Sequence, residues 1–363
     1  MKKRRRTLIV LLILIGIGII ASLLIWTGEP IFQGKPESYW ITNIVYRGPD
    51  EQVERWRGFG AEGVQLLTRY LDRGSGWQTT YHKLYRRFAS RAPGVLVRLC
   101  PKPVDNRATR MCVLNLLNSL SNRDAGDTNT AILAEPAIAR AMSDDDSSLR
   151  QIAVGFYDGA FRHQRIREQM LKHMGPKVKK ARLHDFLRLA QDDNHWVRGN
   201  AAIALSYFPD EAATVAPVLI KVLPEPHPYL QLTIARSLIQ VDRDAAANAG
   251  VAAIAAGHLR EPEQRFTNQT LQRWNGWEIS RQAAEVLGEL HADPAVSVPA
   301  LIEGLGSTNR EIAIASFRAL TRFKEQADQT LPALRKAAAE RSDIPNWVKA
   351  ELRNIDPAGR IAR

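Results

Sequence analysis

The residue types that most often perform chemistry occur in this sequence without the spacing that catalysis or metal binding requires. The eight histidines are scattered, and none forms HExxH, HxH or a close pair with a cysteine. Protein metal sites need such clustered ligands. The chain also lacks the GxxxxGKS/T pattern of a phosphate-binding loop and the GxSxG pattern of a serine hydrolase. We therefore expect no catalytic residue, no metal site and no cofactor.

Two aspartate runs, Asp144–Asp146 and Asp192–Asp193, each precede a predicted helix. Neither run has the spacing of a calcium-binding loop. Aspartates in this position instead cap free backbone amides and favour the positive end of the helix dipole. A structural role is therefore predicted for both runs.

The two cysteines, Cys100 and Cys112, would be permitted to pair in an oxidising compartment. Cys112 lies on the apolar face of its predicted helix, as an inert buried thiol does. Pairing would also require the chain between them to fold back to bridging distance. Whether the two cysteines form a disulfide is left open.

Helices must position these side chains, and the stretch from Asp192 to Leu223 shows their pattern best. Its first half carries an apolar stripe at three- and four-residue spacing, which predicts a helix. Pro209-Asp210 breaks that helix, and the second half, VAPVLIKVL, carries another stripe. Each helix alone would leave its stripe in water, so the pair must pack on neighbours.

The same pattern recurs along the chain. Val197 and Leu205 lie eight residues apart and define the frame of the repeat. Apolar or aromatic pairs with the same separation occur at 149/157, 230/238, 279/287 and 312/320. The pair 109/117 fits this frame more loosely. The second-helix pattern returns at 296–305 and 329–338. Self-similarity at this period is typical of a helical solenoid.

The stretch DDNHWVRGNAAIALS followed by VAPVLIKVL resembles a HEAT repeat. The aspartate that lies six residues before an arginine in that family matches Asp192/Arg198 and Asp144/Arg150. The resemblance implies that these four residues form a structural ladder between repeats, although the copies with Gln231, Ser280 and Ala313 at the arginine position lack it. It further implies an all-α fold, a right-handed alpha-alpha superhelix of helix pairs, and protein binding rather than catalysis. Fold alone does not fix function.

The N-terminus predicts a membrane anchor. Met1–Arg6 is MKKRRR, and the 19 residues from Leu8 to Trp26 carry no charge. Such a run nearly spans the hydrocarbon core, and the basic cluster places the N-terminus in the cytoplasm. We expect a single-pass protein of the bacterial inner membrane with its repeats on the periplasmic side, as in membrane-anchored HEAT-repeat proteins. A cleaved signal peptide and a buried core helix are the alternatives.

These patterns divide the chain into five segments. They are a cytoplasmic basic tail (1–6), a transmembrane signal anchor (7–27), a stalk or linker (28–50), a HEAT-like solenoid (51–355) and a C-terminal tail (356–363). The formal net charge is +12, of which five charges belong to the basic tail, so 12 − 5 leaves about +7 beyond it.

Two departures from the repeat are the candidate binding surfaces. The basic run 162–182 includes Arg162, Arg165, Lys179 and Lys180. The inserted loop 261–277 includes Arg273, Trp274 and Trp277. Loops on a rigid scaffold often carry binding, and tryptophan is a frequent interface anchor. The alternative is that the run is a solvated helix face and that the indoles cover the solenoid edge.

We therefore predict a non-catalytic, membrane-anchored scaffold. It would bind a protein or envelope partner through its concave face and inserted loops. One alternative is that the basic runs 83–110 and 162–182 bind anionic lipid or another polyanion. The other is an enzyme of a HEAT-like family, similar to DNA glycosylases or bilin lyases, although no motif selects either. The predicted orientation disfavours nucleic acid as a partner, and the oligomeric state is left open.

Overall fold

The computed structural model describes residues 30–73, 85, 87, 106–122, 128–260 and 276–354. The chain divides into two compact units, Met1–Leu120 and Ser121–Arg363. Apart from one short hairpin, the regular secondary structure in the described ranges is helical. The predicted anchor at 7–27 and both predicted tails lie outside these ranges.

The first unit begins with a hairpin of β1 (Ile31–Phe32) and β2 (Lys35–Pro36). Its two-residue turn is Gln33-Gly34, and both residues have positive φ, as tight hairpin turns favour. The helices that follow are α1 (Glu37–Thr42), α2 (Asp50–Gly58), α3 (Gly60–Arg73) and α4 (Arg107–Asn122), the last of which runs through the unit boundary.

Aromatic side chains hold the hairpin on the first helices. Phe59, between α2 and α3, meets the rings of Phe32, Trp40 and Trp56 edge to face, with centroids 5.0–5.5 Å apart. Trp40 Nε1 donates a hydrogen bond of 2.8 Å to the Phe32 carbonyl. The part of the predicted stalk from residue 30 onward is therefore folded onto this unit.

The second unit is a succession of helix pairs with short connections. Its helices are α5 (Thr128–Ala141), α6 (Ser147–Arg162), α7 (Gln164–Leu189), α8 (His195–Leu205), α9 (Ala212–Val222), α10 (Pro228–Val241), α11 (Arg243–Asn248), α12 (Val251–Arg260), α13 (Gly276–Leu290), α14 (Pro294–Leu305), α15 (Arg310–Leu320), α16 (Ala327–Glu340) and α17 (Asn346–Lys349). Short 3-10 turns occupy Pro209–Glu211, Lys324–Gln326 and Ala350–Asn354.

The helices of this unit form two rows. The first-helix row consists of α6, α8, α10, α13 and α15, each packed on the next. The second helices lie behind it, and α12, α14 and α16 pack in succession. The frame residues Val197 and Leu205 are fully buried, as are most of their counterparts in the other copies. The predicted all-α solenoid is thus confirmed as a stack of helix pairs.

A recurrent polar motif starts the first helices. Asp146, Asn194 and Asn309 are the N-cap residues of α6, α8 and α15, and each side chain accepts hydrogen bonds from two backbone amides of the first turn. Two residues earlier, Asp144 and Asp192 each accept a 2.9 Å hydrogen bond from the cap residue's own amide, and Ser307 does so at 3.1 Å. Asp146 therefore performs the capping role predicted for the run Asp144–Asp146, whereas α8 is capped by Asn194, and Asp192 binds the amide of that cap residue.

Glycine permits a close approach of α13 to α15 in the first-helix row. A Cβ added at Gly288 of α13 would lie 2.8 Å from Ala319 Cβ and 2.9 Å from its Cα, on α15. In α7, by contrast, Gly175 has φ 64° and precedes Pro176, so the helix is kinked at that point.

Among the described helices, none alone has the length and apolar composition of a membrane span. The helices at His195–Leu205 and Pro209–Val222 reach that composition only together, and they are bent by 101° with respect to each other.

Candidate partner-binding groove

The arginines predicted to form an inter-repeat ladder do contact neighbouring repeats. Arg150 on α6 donates from Nε and Nη2 to the two carboxylate oxygens of Asp192, each at 2.8 Å. Its Nη1 also bonds the carbonyls of Asp144 and Asp145 at 2.9 and 3.0 Å. Burial opposes ionisation of Asp192, but the hydrogen bonds from Arg150 and from the Asn194 amide outweigh it, so the pKa of Asp192 is lowered.

Arg198 repeats this geometry with a partner that the sequence analysis missed. It binds the carbonyls of Asp192 and Asp193 through Nη1, and it binds Glu225 through Nε and Nη2 at 2.9 and 2.5 Å. Glu225 lies 33 residues after Asp192, at the equivalent position of the next copy. The sequence does contain a signal for this partner, because Glu225 lies three residues before α10, as Asp192 lies three residues before α8.

Polar contacts continue where the arginine is replaced. Gln231 Oε1 lies 2.7 Å from His258 Nε2, and its Nε2 donates to the Leu223 carbonyl at 3.1 Å. Ser280 Oγ donates to the His258 carbonyl at 3.2 Å. Gln231, His258 and Ser280 therefore bind one another and the backbone where the ladder arginine is absent.

The basic run 162–182 is partly used by internal contacts. Arg162 pairs with Asp158 at 2.9 Å, and Lys179 lies 5.8 Å from the centre of the Phe208 ring. Arg165 and Lys180 are exposed. Some cations of the run therefore make internal contacts, whereas Arg165 and Lys180 are exposed to solvent.

One arginine of this run belongs to a buried network. Arg182 Nε donates to Glu135 at 2.5 Å and its Nη1 to Asp185 at 2.6 Å. The same Glu135 oxygen accepts a 2.9 Å hydrogen bond from Tyr157, and burial raises the pKa of that tyrosine. Arg182 is thus part of the packing between α5, α6 and α7.

The inserted loop can be described only at its end. Arg273 and Trp274 lie outside the described residues. Trp277 is half-buried in the first turn of α13. The proposed role of this loop as a binding tip stays a prediction.

Three closely spaced glycines lie at the junction of α2 and α3 in the first unit. Gly58, Gly60 and Gly63 match the GxGxxG spacing of a dinucleotide-binding loop. A dinucleotide site places that loop between a parallel strand and a helix, whereas here it joins α2 to α3. Gly60 has φ +56°, and a Cβ on Gly63 would lie 2.7 Å from Phe59 Cβ. These glycines therefore serve the helix junction.

A well-defined recess in the described residues lies across α10, α13, α15 and α17. We call it the arginine groove, and its volume is about 400 Å³. It contains five arginines and three glutamates. They are Arg236, Arg281, Arg310, Arg318, Arg322, Glu285, Glu289 and Glu311. Ile314, Ala315, Ala319, Gly288, Pro345 and Trp347 supply its apolar surface.

Internal ion pairs neutralise one side of the arginine groove. Arg236 binds Glu289 through Nε at 2.7 Å and through Nη2, and it lies 3.6 Å from Glu285. Arg281 pairs with Glu285 one turn further along α13. Because of Glu289 above all, the pKa of Arg236 is raised. These four side chains form a closed charge network.

The other side, along α15, is not neutralised in the same way. Arg310, Ile314, Arg318 and Arg322 follow one another at four-residue spacing, the last just beyond the helix end. Neighbours at this spacing lie on one helix face. Arg318 pairs with Glu351 at 3.0 Å, whereas Arg310 and Arg322 have no ion pair among the described residues.

An exposed tryptophan completes this side. Trp347 is 61% exposed, and the Arg318 guanidinium lies 5.7 Å from the centre of its ring. A second recess of about 340 Å³ shares Arg318 and Arg322 with the groove and adds Lys324. This surface was not predicted from the sequence, although Arg310, Arg318 and Arg322 recur at multiples of four residues.

The side chains that line the arginine groove are charged or apolar. Within the described ranges, no group of three or more histidine, cysteine or carboxylate side chains is placed to hold a metal ion. Of the two cysteines, Cys112 is a free thiol whose pKa burial raises, and Cys100 lies outside the described residues. The groove chemistry is that of charge pairing and apolar contact.

No family model and no curated protein matches this chain. In all, 126 solved chains do match it. An engineered protein has a TM-score of 0.50 at 17% identity, covering 88% of this chain and 83% of its own. A designed armadillo repeat protein, solved in complex with the peptide (KR)4, has a TM-score of 0.45 at 13% identity over 60% of this chain and 95% of its own. The first likeness shows the fold alone, a solenoid of helical repeats.

Proposed function

We propose that this protein is a non-catalytic scaffold that binds a partner protein. The observation that carries the proposal is the arginine groove, an open recess on a rigid helical stack with Trp347 at its edge. Tryptophan and arginine are enriched among the residues that contribute most to interface affinity. The helix pairs fix the groove walls, so little ordering is needed on binding.

We further propose that a helix at 7–27 anchors the scaffold in the bacterial inner membrane, with the solenoid on the periplasmic side. The support is the sequence of residues 1–27, namely five basic residues followed by an uncharged apolar run. A reporter enzyme that is active only outside the cytoplasm, fused after Arg363, should then be active. Activity of a cytoplasm-specific reporter at the same position would reverse the orientation.

Photocrosslinking of the full chain in its native membranes tests partner binding. A benzoylphenylalanine at Trp347 should give a discrete crosslinked product of higher mass. Excess unlabelled full chain should suppress that product, whereas excess full chain carrying Trp347→Ala should suppress it much less. The matched control is the same probe at Ile220, which is 39% exposed on α9 in the second-helix row.

Equal products from Trp347 and Ile220 would contradict the groove as the binding surface. Complete absence of a product at Trp347 would contradict the proposal in the same way.

A further inference from the structure

Arg310, Arg318 and Arg322 form a line along the α15 wall of the groove, and among the described residues only Arg318 of the three has an ion pair. Arg310 and Arg318 are eight residues apart, which is about 12 Å along a helix. Arg310, Arg318 and Arg322 are all exposed. Ile314 lies between them and is only half-buried, so the line has an apolar centre.

Local electrostatics do not explain Arg310. It is the first residue of α15, where the helix dipole disfavours a positive charge. The nearby carboxylate of Asp343, whose pKa Arg310 helps to lower, is already held by Arg341 at 3.0 and 2.6 Å. The arginine thus occupies a position that favours an acidic residue.

The neighbouring helix shows the contrast. On α13, Arg281 is followed four residues later by Glu285 and eight residues later by Glu289, and both glutamates bind arginine. On α15, the residues four and eight positions after Arg310 are Ile314 and Arg318. One wall of the groove is self-neutralised, and the other leaves positive charge available.

We propose that the arginine groove binds an acidic, extended segment of a partner protein. This inference rests on the proposed scaffold function and specifies the chemistry of its partner. Carboxylates would pair with Arg310, Arg318 and Arg322, and an apolar side chain would pack on Ile314 and Trp347. In an extended chain, residues four apart are separated by about 13 Å, which matches the spacing of Arg310 and Arg318.

The glutamates of the groove favour a peptide over a continuous polyanion. Glu285, Glu289 and Glu311 line the same recess as the arginines. A lipid surface or polyphosphate would bring negative charge against these glutamates. An extended peptide turns successive side chains to opposite sides, so it can place carboxylates at the arginines and turn its other side chains away from the glutamates.

The test measures binding of a fluorescein-labelled octaglutamate peptide to the full chain in neutral detergent by fluorescence anisotropy. Octaglutamine and octalysine are the peptide controls, and inorganic polyphosphate is the alternative anion. We expect saturable binding of octaglutamate that weakens with added salt, and no binding of the other two peptides.

The decisive variant is Arg310→Gln/Arg322→Gln. Each exposed charge pair contributes modestly, so we expect octaglutamate affinity to fall about tenfold. The matched control is Arg243→Gln/Lys336→Gln, which removes two exposed charges from the second helices. It should change affinity less than twofold. Because Arg310 and Arg322 have no ion pair among the described residues, the melting temperature of the decisive variant should not fall.

Absence of octaglutamate binding, or an equal loss in both variants, would overturn the inference. If polyphosphate binds through Arg310 and Arg322 while octaglutamate does not bind, the occupant of the groove would be a polyanion and not an acidic peptide. If the Trp347 crosslink persists with the native partner while octaglutamate fails to bind, the scaffold function stands and only its acidic specificity falls. Loss of both would remove the function as well.

Discussion

Removing the Arg198 side chain should destabilise the second unit strongly, because Glu225 would then be a buried carboxylate without its counter-charge. The Glu225 side chain is only 1% exposed, and that of Arg198 is 19% exposed. Breaking a buried ion pair by removing one partner typically costs about 3–5 kcal/mol. We therefore expect Arg198→Met to cost about that much.

A comparison within the same unit sharpens this expectation. Arg318 pairs with Glu351 through a single 3.0 Å contact, and the two side chains are 52% and 24% exposed. Exposed pairs contribute about 0–1 kcal/mol. Arg318→Met should therefore cost at least 2 kcal/mol less than Arg198→Met, by the difference of these two estimates.

The assay is thermal unfolding of the full chain in neutral detergent, followed by circular dichroism, with hydrogen exchange of α8 and α10 as a local measurement. For a unit of this size, about 1 kcal/mol corresponds to roughly 2–4 °C. Arg198→Met should lower the transition by roughly 10 °C. The double variant Arg198→Met/Glu225→Gln should recover part of this loss, because the uncompensated charge is gone.

Equal effects of Arg198→Met and Arg318→Met would refute the reasoning. So would a double variant no more stable than Arg198→Met, since the cost would then come from lost arginine packing rather than from the stranded carboxylate.

Two further predictions concern packing and pH. Gly288→Val should destabilise the second unit by about 1–3 kcal/mol, because the larger side chain would force Ala319 away. Thermal unfolding measures this loss. The control is Gly257→Ala on α12, which should not destabilise the unit because an added Cβ there meets nothing within 4 Å. His227 is buried beside His195, Trp196 and Glu225, and burial, reinforced by the charge of His195 and opposed by Glu225, lowers its pKa. Its stability contribution is therefore full above the unfolded pKa of about 6.5 and is lost as pH falls through the lower folded pKa. His227→Gln should reduce the dependence of the melting temperature on pH below about pH 6.5. An unchanged slope would contradict this.

The helix order of the second unit was readable from local spacing. The apolar pairs such as Val197/Leu205 recur with the helical period, and the run Asp144–Asp146 marks a helix start. These signals are local, because a helix repeats every 3.6 residues and its first amides need a nearby acceptor. The solenoid could be predicted from these helices because the apolar stripe of each helix must be buried against a neighbouring helix.

The partners of the charged side chains were much harder to predict. Arg182, predicted within a basic run, binds Glu135, which is 47 residues away in the sequence. Glu225 replaces the aspartate of the ladder, and its Pro-flanked setting hid the equivalence. Ion pairing depends on side chains meeting within 4 Å across helices, and residue spacing along one helix does not encode that distance.

By itself the sequence determined an all-α repeat, the positions of its helices and the caps that begin them, since these follow from hydrogen bonding and apolar periodicity along the chain. Only the tertiary structure decided which arginines are already neutralised and which remain available. Arg236 is neutralised by Glu285 and Glu289, which lie 49 and 53 residues further along the chain, whereas Arg310 has no ion pair among the described residues. The arginine groove exists because α10, α13, α15 and α17 meet there, and that meeting is set by packing between distant segments.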